Sequence, residues 1–366
     1  MKNGKLSLGF IGCGGIAFSK FFPTLARMDS VCSLDAFCNH NIAKAELAKA
    51  QFGSGDARTF SDYHDMLAMD ELDIIYVLTP NSLHAEMTCA ALGAGKHVFC
   101  EKPMAISSAE GEQMIAAATV HKKKLMISYQ SRFRDDAQLL KSACEDGMLG
   151  DIYYARAHAI RRREVPTWGV FTDAKLQGGG PLIDIGSHAL DLTLWLMGNF
   201  EPASVSGSVY YKMAEATDGN RFGPWNPAEF QVEDSAFGFI RMQNGATVYL
   251  ETSWALNSTD VREAMSSLSG TKGGAEMYRD AGGKPQLVMN TARYGHLLNI
   301  TPQTLGSIAP FGQQAESAVQ REAIAFLRAI AHDEPVPVHP REALQVTRIL
   351  EAIYQSAQEN RTVLLG

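Results

Sequence analysis

Lys5-Leu6-Ser7-Leu8-Gly9-Phe10-Ile11 runs directly into Gly12-Cys13-Gly14-Gly15-Ile16-Ala17. The first seven residues alternate and then turn continuously apolar, as a strand buried in a parallel sheet does. The turn reads G-x-G-x-x-A. Gly12 permits a tight turn, and Gly14 lets backbone approach a pyrophosphate. Ala17 stands for the third glycine and still allows close helix–strand packing. A helical segment, Phe18–Met28, follows, so phosphates would meet free N–H groups and a positive dipole end. Strand, turn and helix are the parts of a dinucleotide site, with Gly12, Gly14, Gly15 and Ile16 as its contacts.

The same alternation continues. Strands are expected at Ser33–Cys38, Arg58–Phe60, Asp73–Thr79, His97–Cys100 and Lys124–Tyr129, with helices from Ile42, up to Leu67, at Ala85–Ala94 and at Ser108–His121. In an open α/β sheet, ligands lie beyond the carboxyl ends of the strands. Asn39, Thr79, Pro80, Asn81 and His84, and Glu101 and Lys102 of Glu101-Lys102-Pro103, are therefore cofactor-side candidates; an ordinary loop with an Asx cap explains the middle group as well. Asn39 stands where Asp or Glu usually grips a ribose. It can hydrogen-bond a 2′-hydroxyl without repelling a 2′-phosphate, and no arginine is near, which favours NAD without excluding NADP.

Length and composition bound the rest. The chain has 366 residues, long enough for two domains, and is 46% hydrophobic and 20% charged. A net charge of −7 offers no general attraction to nucleic acid or an anionic membrane. No apolar run reaches the ~20 residues of a membrane span. Met1-Lys2-Asn3-Gly4-Lys5 lacks the pattern of a signal peptide, so a cytoplasmic location is expected. The six cysteines include no C-x-x-C pair and read as reduced thiols, with no metal site.

The second part opens with a helix at Asp135–Gly147 and a strand, Ile152–Ile160, ending in Arg161-Arg162-Arg163. Those arginines read as anion binders or as a solvated strand end. Trp168 reads as a sugar-stacking platform or as core. Gly178-Gly179-Gly180-Pro181-Leu182-Ile183-Asp184-Ile185-Gly186-Ser187-His188 then leads into a helical run. Pro181 suits a first helical position. Asp184 and His188, four apart, share one face. They form either a proton-handling pair or a cap and a core histidine; Asp191 reads as structural. The segment 214–232 is rich in Gly, Pro and aromatics, and such loops tend to be lids or binding loops; Trp225 and Phe230 are its expected contacts with a ligand or a second subunit. A hairpin turns at Asn244-Gly245. Two helices, Gln313–Ala331 and Pro340–Glu359, close the chain.

Taken in order, the GCGGIA turn, Glu101-Lys102-Pro103 and the GGGPLIDIGSHALDL segment resemble the glucose–fructose oxidoreductase / inositol dehydrogenase / MocA-like (Gfo/Idh/MocA) family over nearly the whole chain. The resemblance implies an α/β protein: an N-terminal Rossmann domain over 1–128, and a C-terminal α/β domain with an open, mostly antiparallel sheet over 129–366, the final helices being free to pack back on the first. It implies an NAD(P)-dependent oxidoreductase acting on a ring hydroxyl of a sugar, glycoside or cyclic polyol. His188 would be the general base, Lys102 would polarise the reacting oxygen and Asp184 would orient the sugar; apart from the resemblance, Tyr129, Arg161 and Trp168 are candidate substrate contacts. A histidine's ordinary pKa of ~6.5 suits a base near neutrality. A homodimer or homotetramer is implied, because an uncovered sheet face needs a partner. The same residues would serve a redox-assisted glycosidase or deglycosylation component. A non-catalytic NAD-sensing binder has no need of all three.

Overall fold

The computed structural model describes residues 4–280, 282–306 and 316–365. The extreme N-terminal residues 1–3 and the expected start of a helix at Gln313 lie outside them. The chain divides into two compact units: residues 1–130 with 316–344, and residues 131–315 with 345–366.

In the first unit, among the described residues, six strands form one sheet: β1 (Leu6–Ile11), β2 (Cys32–Cys38), β3 (Arg58–Phe60), β4 (Ile74–Val77), β5 (His97–Glu101) and β6 (Leu125–Ser128), in the order β3-β2-β1-β4-β5-β6. Every pairing is parallel. Helices cover both faces of such a sheet, so its strands carry apolar residues on both sides, and all six residues of β1 are buried. The strand order reverses beside β1, which sets the dinucleotide turn at the switch point. A row of rings runs through the core. Phe10 stacks on Phe37 and Tyr76 at 5.4 and 5.3 Å, and Tyr76 stacks on Phe99 at 4.7 Å. Phe326, from the helix Ala318–Ala331, closes the row edge-on to Phe99 at 5.4 Å. That helix returns after nearly two hundred residues, and Ser128 donates to its Glu322 at 3.2 Å.

The second unit is built on nine strands among the described residues: β7 (Ile152–Ile160), β8 (Pro202–Tyr210), β9 (Ser235–Met242), β10 (Thr247–Ser253), β11 (Arg262–Gly270), β12 (Gly273–Arg279), β13 (Pro285–Arg293), β14 (His296–Ile300) and β15 (Val363–Leu364). They lie in the order β14-β13-β12-β11-β7-β10-β9-β8-β15. Only β7 and β10 pair in parallel; the other neighbours are antiparallel. The expected hairpin at Asn244-Gly245 joins β9 to β10, with Gly245 at φ +88°. The helix Ser187–Met197 lies against β7 and β11. Its Asp191 accepts from Arg132 Nε and Nη2 at 2.9 and 2.6 Å, a fully buried pair. Breaking such a pair strands a buried charge and costs about 3–5 kcal/mol. On the sheet, strand alternation buries Val248 and Leu250 and leaves Tyr249, Tyr154, Tyr210 and Phe239 partly or largely uncovered.

Candidate active site

In the first unit the glycine turn faces outward. A Cβ on Gly12, whose φ is +101°, would stand 2.5 Å from the Leu78 carbonyl oxygen, so no other residue fits. A Cβ on Gly14 or Gly15 would meet nothing within 4 Å. The backbone there is open to a ligand. The following segment, Ala17–Phe21 with Ile16 as its cap, is a π-turn that passes into a short α-helix, Phe22–Ala26, so the expected single helix is two pieces. Thr79, beyond β4, keeps its buried hydroxyl without a hydrogen-bond partner among the described residues. Open backbone at a helix start and an unspent hydroxyl at the switch point fit a nicotinamide dinucleotide, whose pyrophosphate needs N–H groups and whose other end needs hydroxyl or amide partners.

Several other expected cofactor contacts also have partners within the protein. Asn39 is buried; its Oδ1 accepts from Cys13 N and its Nδ2 donates to Asn41 O, both at 3.1 Å. It braces the turn to the start of the next helix with one donor and one acceptor of its amide. His84 is also a brace. It is wholly buried, with Nδ1 2.8 Å from Pro103 O and Nε2 3.0 Å from Thr79 O. Burial pulls its pKa below the ordinary value, against the pull of both carbonyls. A neutral ring donates to one carbonyl at a time. Either way His84 ties the loop after β4 to the loop that carries Lys102. Pro80 precedes a single 3-10 turn, Asn81–Leu83, and Asn81 is buried. Glu101 accepts from Lys102 N at 2.9 Å, which fixes the backbone at the half-buried lysine. Tyr129, expected to touch substrate, exposes no surface.

The second unit carries the Asp–His segment. Pro181 leads into a π-turn, Leu182–Gly186, before the α-helix from Ser187. Asp184 lies in the widened turn and His188 in the first turn of the regular helix. Such bulges recur at functional sites. Ser187 Oγ donates to the Ile183 carbonyl at 2.7 Å, occupying an acceptor within the irregular turn. Ahead of it, Glu233 accepts from Gly180 N at 2.8 Å, Leu182 N at 3.0 Å and Tyr354 OH at 2.9 Å. Burial pushes the Glu233 carboxyl above the ordinary range although all three donors pull it down.

Asp184 is buried and oriented. The Trp254 indole N–H donates to its Oδ2 at 3.0 Å, and Arg161 Nη1 stands 3.8 Å from the same oxygen. Arg161 is itself clamped by Glu263 through two 2.6 Å bonds. Burial would lower the Arg161 pKa; Glu263 and then Asp184 reverse this and raise it. The fork that was expected to bind a substrate anion is thus committed to the protein's own carboxylates. The exposed Arg162 and the half-buried Arg163 do not join it.

The loop 214–232 is strapped down. Asp234 closes its neck by accepting from Lys212 N and Met213 N. Asn220 accepts from Val165 N at 2.8 Å and donates to Val165 O at 3.0 Å, while Thr167 Oγ1 donates to Phe222 O at 2.7 Å. Trp225 is only 8% exposed, donates to Ala214 O at 2.7 Å and packs on Phe230 at 5.6 Å. These two rings hold the loop together. The rings it offers outward are Phe222 and, across the straps, Trp168. Glu233, Trp254, Glu263 and Phe222 were not anticipated from sequence; only the aromatic composition of the loop hinted at the last.

Among the described residues no group of three His, Cys, Asp or Glu is placed to hold a metal, and no helix is long and apolar enough to cross a membrane. Burial pushes the Cys13, Cys32 and Cys38 thiols up to about 12.

Known proteins give a consistent picture. The chain is 34% identical to D-glucoside 3-dehydrogenase of Escherichia coli over 369 aligned residues, covering 100% of this chain and 99% of that protein. The solved aldose-aldose oxidoreductase of Caulobacter crescentus, complexed with glycerol, matches with a TM-score of 0.80 and 26% identity over 99% of this chain and 100% of that one. Levoglucosan dehydrogenase in complex with NADH shares the fold, with a TM-score of 0.83 at 23% identity over 99% of each chain. Residues 6–129 match the NAD-binding Rossmann domain, and residues 141–365 the C-terminal α/β domain, of one oxidoreductase family. The chain belongs to the Gfo/Idh/MocA oxidoreductases, with an NAD-binding Rossmann domain followed by a C-terminal α/β domain.

Proposed function

We propose that the protein is an NAD-dependent dehydrogenase that oxidises a ring hydroxyl of a sugar or glycoside. The observation that carries this reading is the fixed Asp184 carboxylate, oriented by Trp254 and Arg161 one turn ahead of His188. The full-length likeness to D-glucoside 3-dehydrogenase supports the substrate class. Bound NAD would supply the hydride acceptor, held at Gly14, Gly15 and Thr79. The remaining chemistry is proton handling. His188 accepts the proton of the reacting hydroxyl, Lys102 donates a hydrogen bond to the same oxygen as negative charge builds on it, and Asp184 accepts from a neighbouring hydroxyl and so fixes which carbon is presented. In the reverse direction His188 returns the proton. A second copy of the chain covering the aromatic side of the nine-stranded sheet completes the proposal; sedimentation as a monomer at micromolar concentration would remove that part.

The test is NADH formation, followed by its near-ultraviolet absorbance, with methyl and aryl glucosides, free hexoses and inositols, and with NADP in parallel. NADH should form with at least one glycoside, and the ketosugar should keep its aglycone. Release of the aglycone would replace dehydrogenation by redox-assisted cleavage. No reduction, with no NAD released on denaturing the protein, would contradict both.

A further inference from the structure

A file of aromatic rings leads from Asp184 to the surface of the second unit. Trp254 is fully buried and hydrogen-bonds Asp184. Phe171 stands edge-on to Trp254 at 6.4 Å, Trp168 edge-on to Phe171 at 5.9 Å, and Phe222 edge-on to Trp168 at 5.0 Å. The file opens to solvent at its outer end, with Trp168 53% and Phe222 38% exposed. Phe171 and Phe222 lie at 75° and 82° to the Trp168 plane, so the three rings make a corner rather than a stack.

Exposed aromatic rings are ordinarily mobile, and holding them still costs entropy on binding. Here both sides of the corner are fixed beforehand. Asn220 grips both backbone groups of Val165, Arg221 N donates to Arg163 O at 2.8 Å, and Thr167 bonds to the backbone of Phe222 itself. The result is a half-open aromatic corner on a strapped backbone, joined by ring packing to Asp184. It lies three ring-to-ring steps from Asp184, through Trp254, Phe171 and Trp168. The nearest Phe edges offer no hydrogen bonds to hydroxyls, which sets an apolar ring above a second sugar.

We infer that Trp168 and Phe222 form an aglycone subsite, which takes a flat aromatic ring carried on the glycosidic oxygen of the substrate. This rests on the glycoside-oxidising reading above and names the half of the substrate that reading leaves open. Losing one or two ring contacts of this kind corresponds to roughly tenfold in kcat/KM.

The experiment compares kcat/KM for phenyl glucoside, methyl glucoside and a glucose disaccharide, with NAD, in the full-length protein and in Trp168→Ala and Phe222→Ala. Calorimetric titration of phenyl glucoside into the same NAD-saturated proteins accompanies the rates. Each substitution is expected to lower the phenyl-to-methyl ratio about tenfold, with the disaccharide following methyl glucoside. An unchanged ratio in both variants overturns the subsite, as does a disaccharide that loses as much as phenyl glucoside. If the parent protein oxidises no glycoside, the functional reading falls; phenyl glucoside binding that weakens in both variants then still supports an aromatic-ring site, and binding that is absent or unaltered overturns it.

Discussion

Two glycine-rich stretches open helices in this chain, and both run through a π-turn, Ala17–Phe21 in one and Leu182–Gly186 in the other. Read as strings they look alike. In the structure they differ in what the glycines face. At Gly14 and Gly15 a side chain would enter open space. At Gly179 it would collide with the Tyr354 hydroxyl, and at Gly180 with the Glu233 carbonyl oxygen. The first turn keeps its N–H groups for an anion from outside. The second has an anion of its own: the Glu233 carboxylate accepts from Gly180 and Leu182, the part a phosphate plays at a nucleotide site. Glycine richness ahead of a helix therefore means ligand approach in one case and internal packing in the other.

The contrast predicts opposite phenotypes for the same substitution. Gly180→Ala drives a methyl into backbone and should destabilise the protein by ~3 kcal/mol or more, in the upper range of overpacking; a melting temperature within a degree of the parent would break the comparison. Gly14→Ala should leave thermal unfolding within about 0.5 kcal/mol but weaken NAD binding at least ~10-fold, since the methyl occupies the ligand's approach. Titration of NAD against both variants reads the difference directly.

The internal anion has a pH signature. Burial raises the Glu233 pKa above its unfolded value near 4.5. The folded state then holds that proton more tightly, so this group's contribution is fully present below about pH 4.5 and is lost as pH rises through the raised folded value. Glu233→Gln removes this slope, so the variant should compare less favourably with the parent at pH 4.5 than at pH 7 in paired thermal melts. A pH-independent difference would mean that the carboxyl does not titrate as its burial implies. The smallest effect is expected at the outer turn. Asn39 bonds Cys13 and Asn41 through its amide and carries no charge. Asn39→Asp should widen the preference for NAD over NADP, by about 1 kcal/mol or roughly fivefold in the ratio of dissociation constants, through repulsion of the 2′-phosphate.

The Rossmann sheet was legible because a doubly covered parallel strand is a continuous apolar run, and because G-x-G-x-x-A follows the first one. In the second unit, strand candidates and the Asn244-Gly245 hairpin were legible from pattern, while the open, mostly antiparallel sheet was legible only through the family resemblance. What local pattern does not carry is which distant side chain meets a motif. Trp254 and Glu263 reach Asp184 and Arg161 from 70 and 102 positions away in the chain. Arg161 looked available because its carboxylate partner comes from another strand. His84 looked like a ligand for the same reason: the carbonyls it braces belong to two loops brought together only by folding. Within 214–232, composition marked an aromatic loop, but only the straps to residues 163–167 decide that Trp225 turns inward and Phe222 outward.

The proposed function divides the labour: the open glycine turn would bind the dinucleotide, and Lys102 and the Asp184–His188 segment would handle the proton. It is tested most directly by measuring NAD affinity and glycoside turnover together in the parent, His188→Ala and Lys102→Ala. NAD dissociation constants are expected within about threefold of the parent and turnover lower by at least ~100-fold in each variant, the low end for losing a general acid–base group. Near-parental turnover in both variants, or turnover lost only in step with NAD binding, would contradict it.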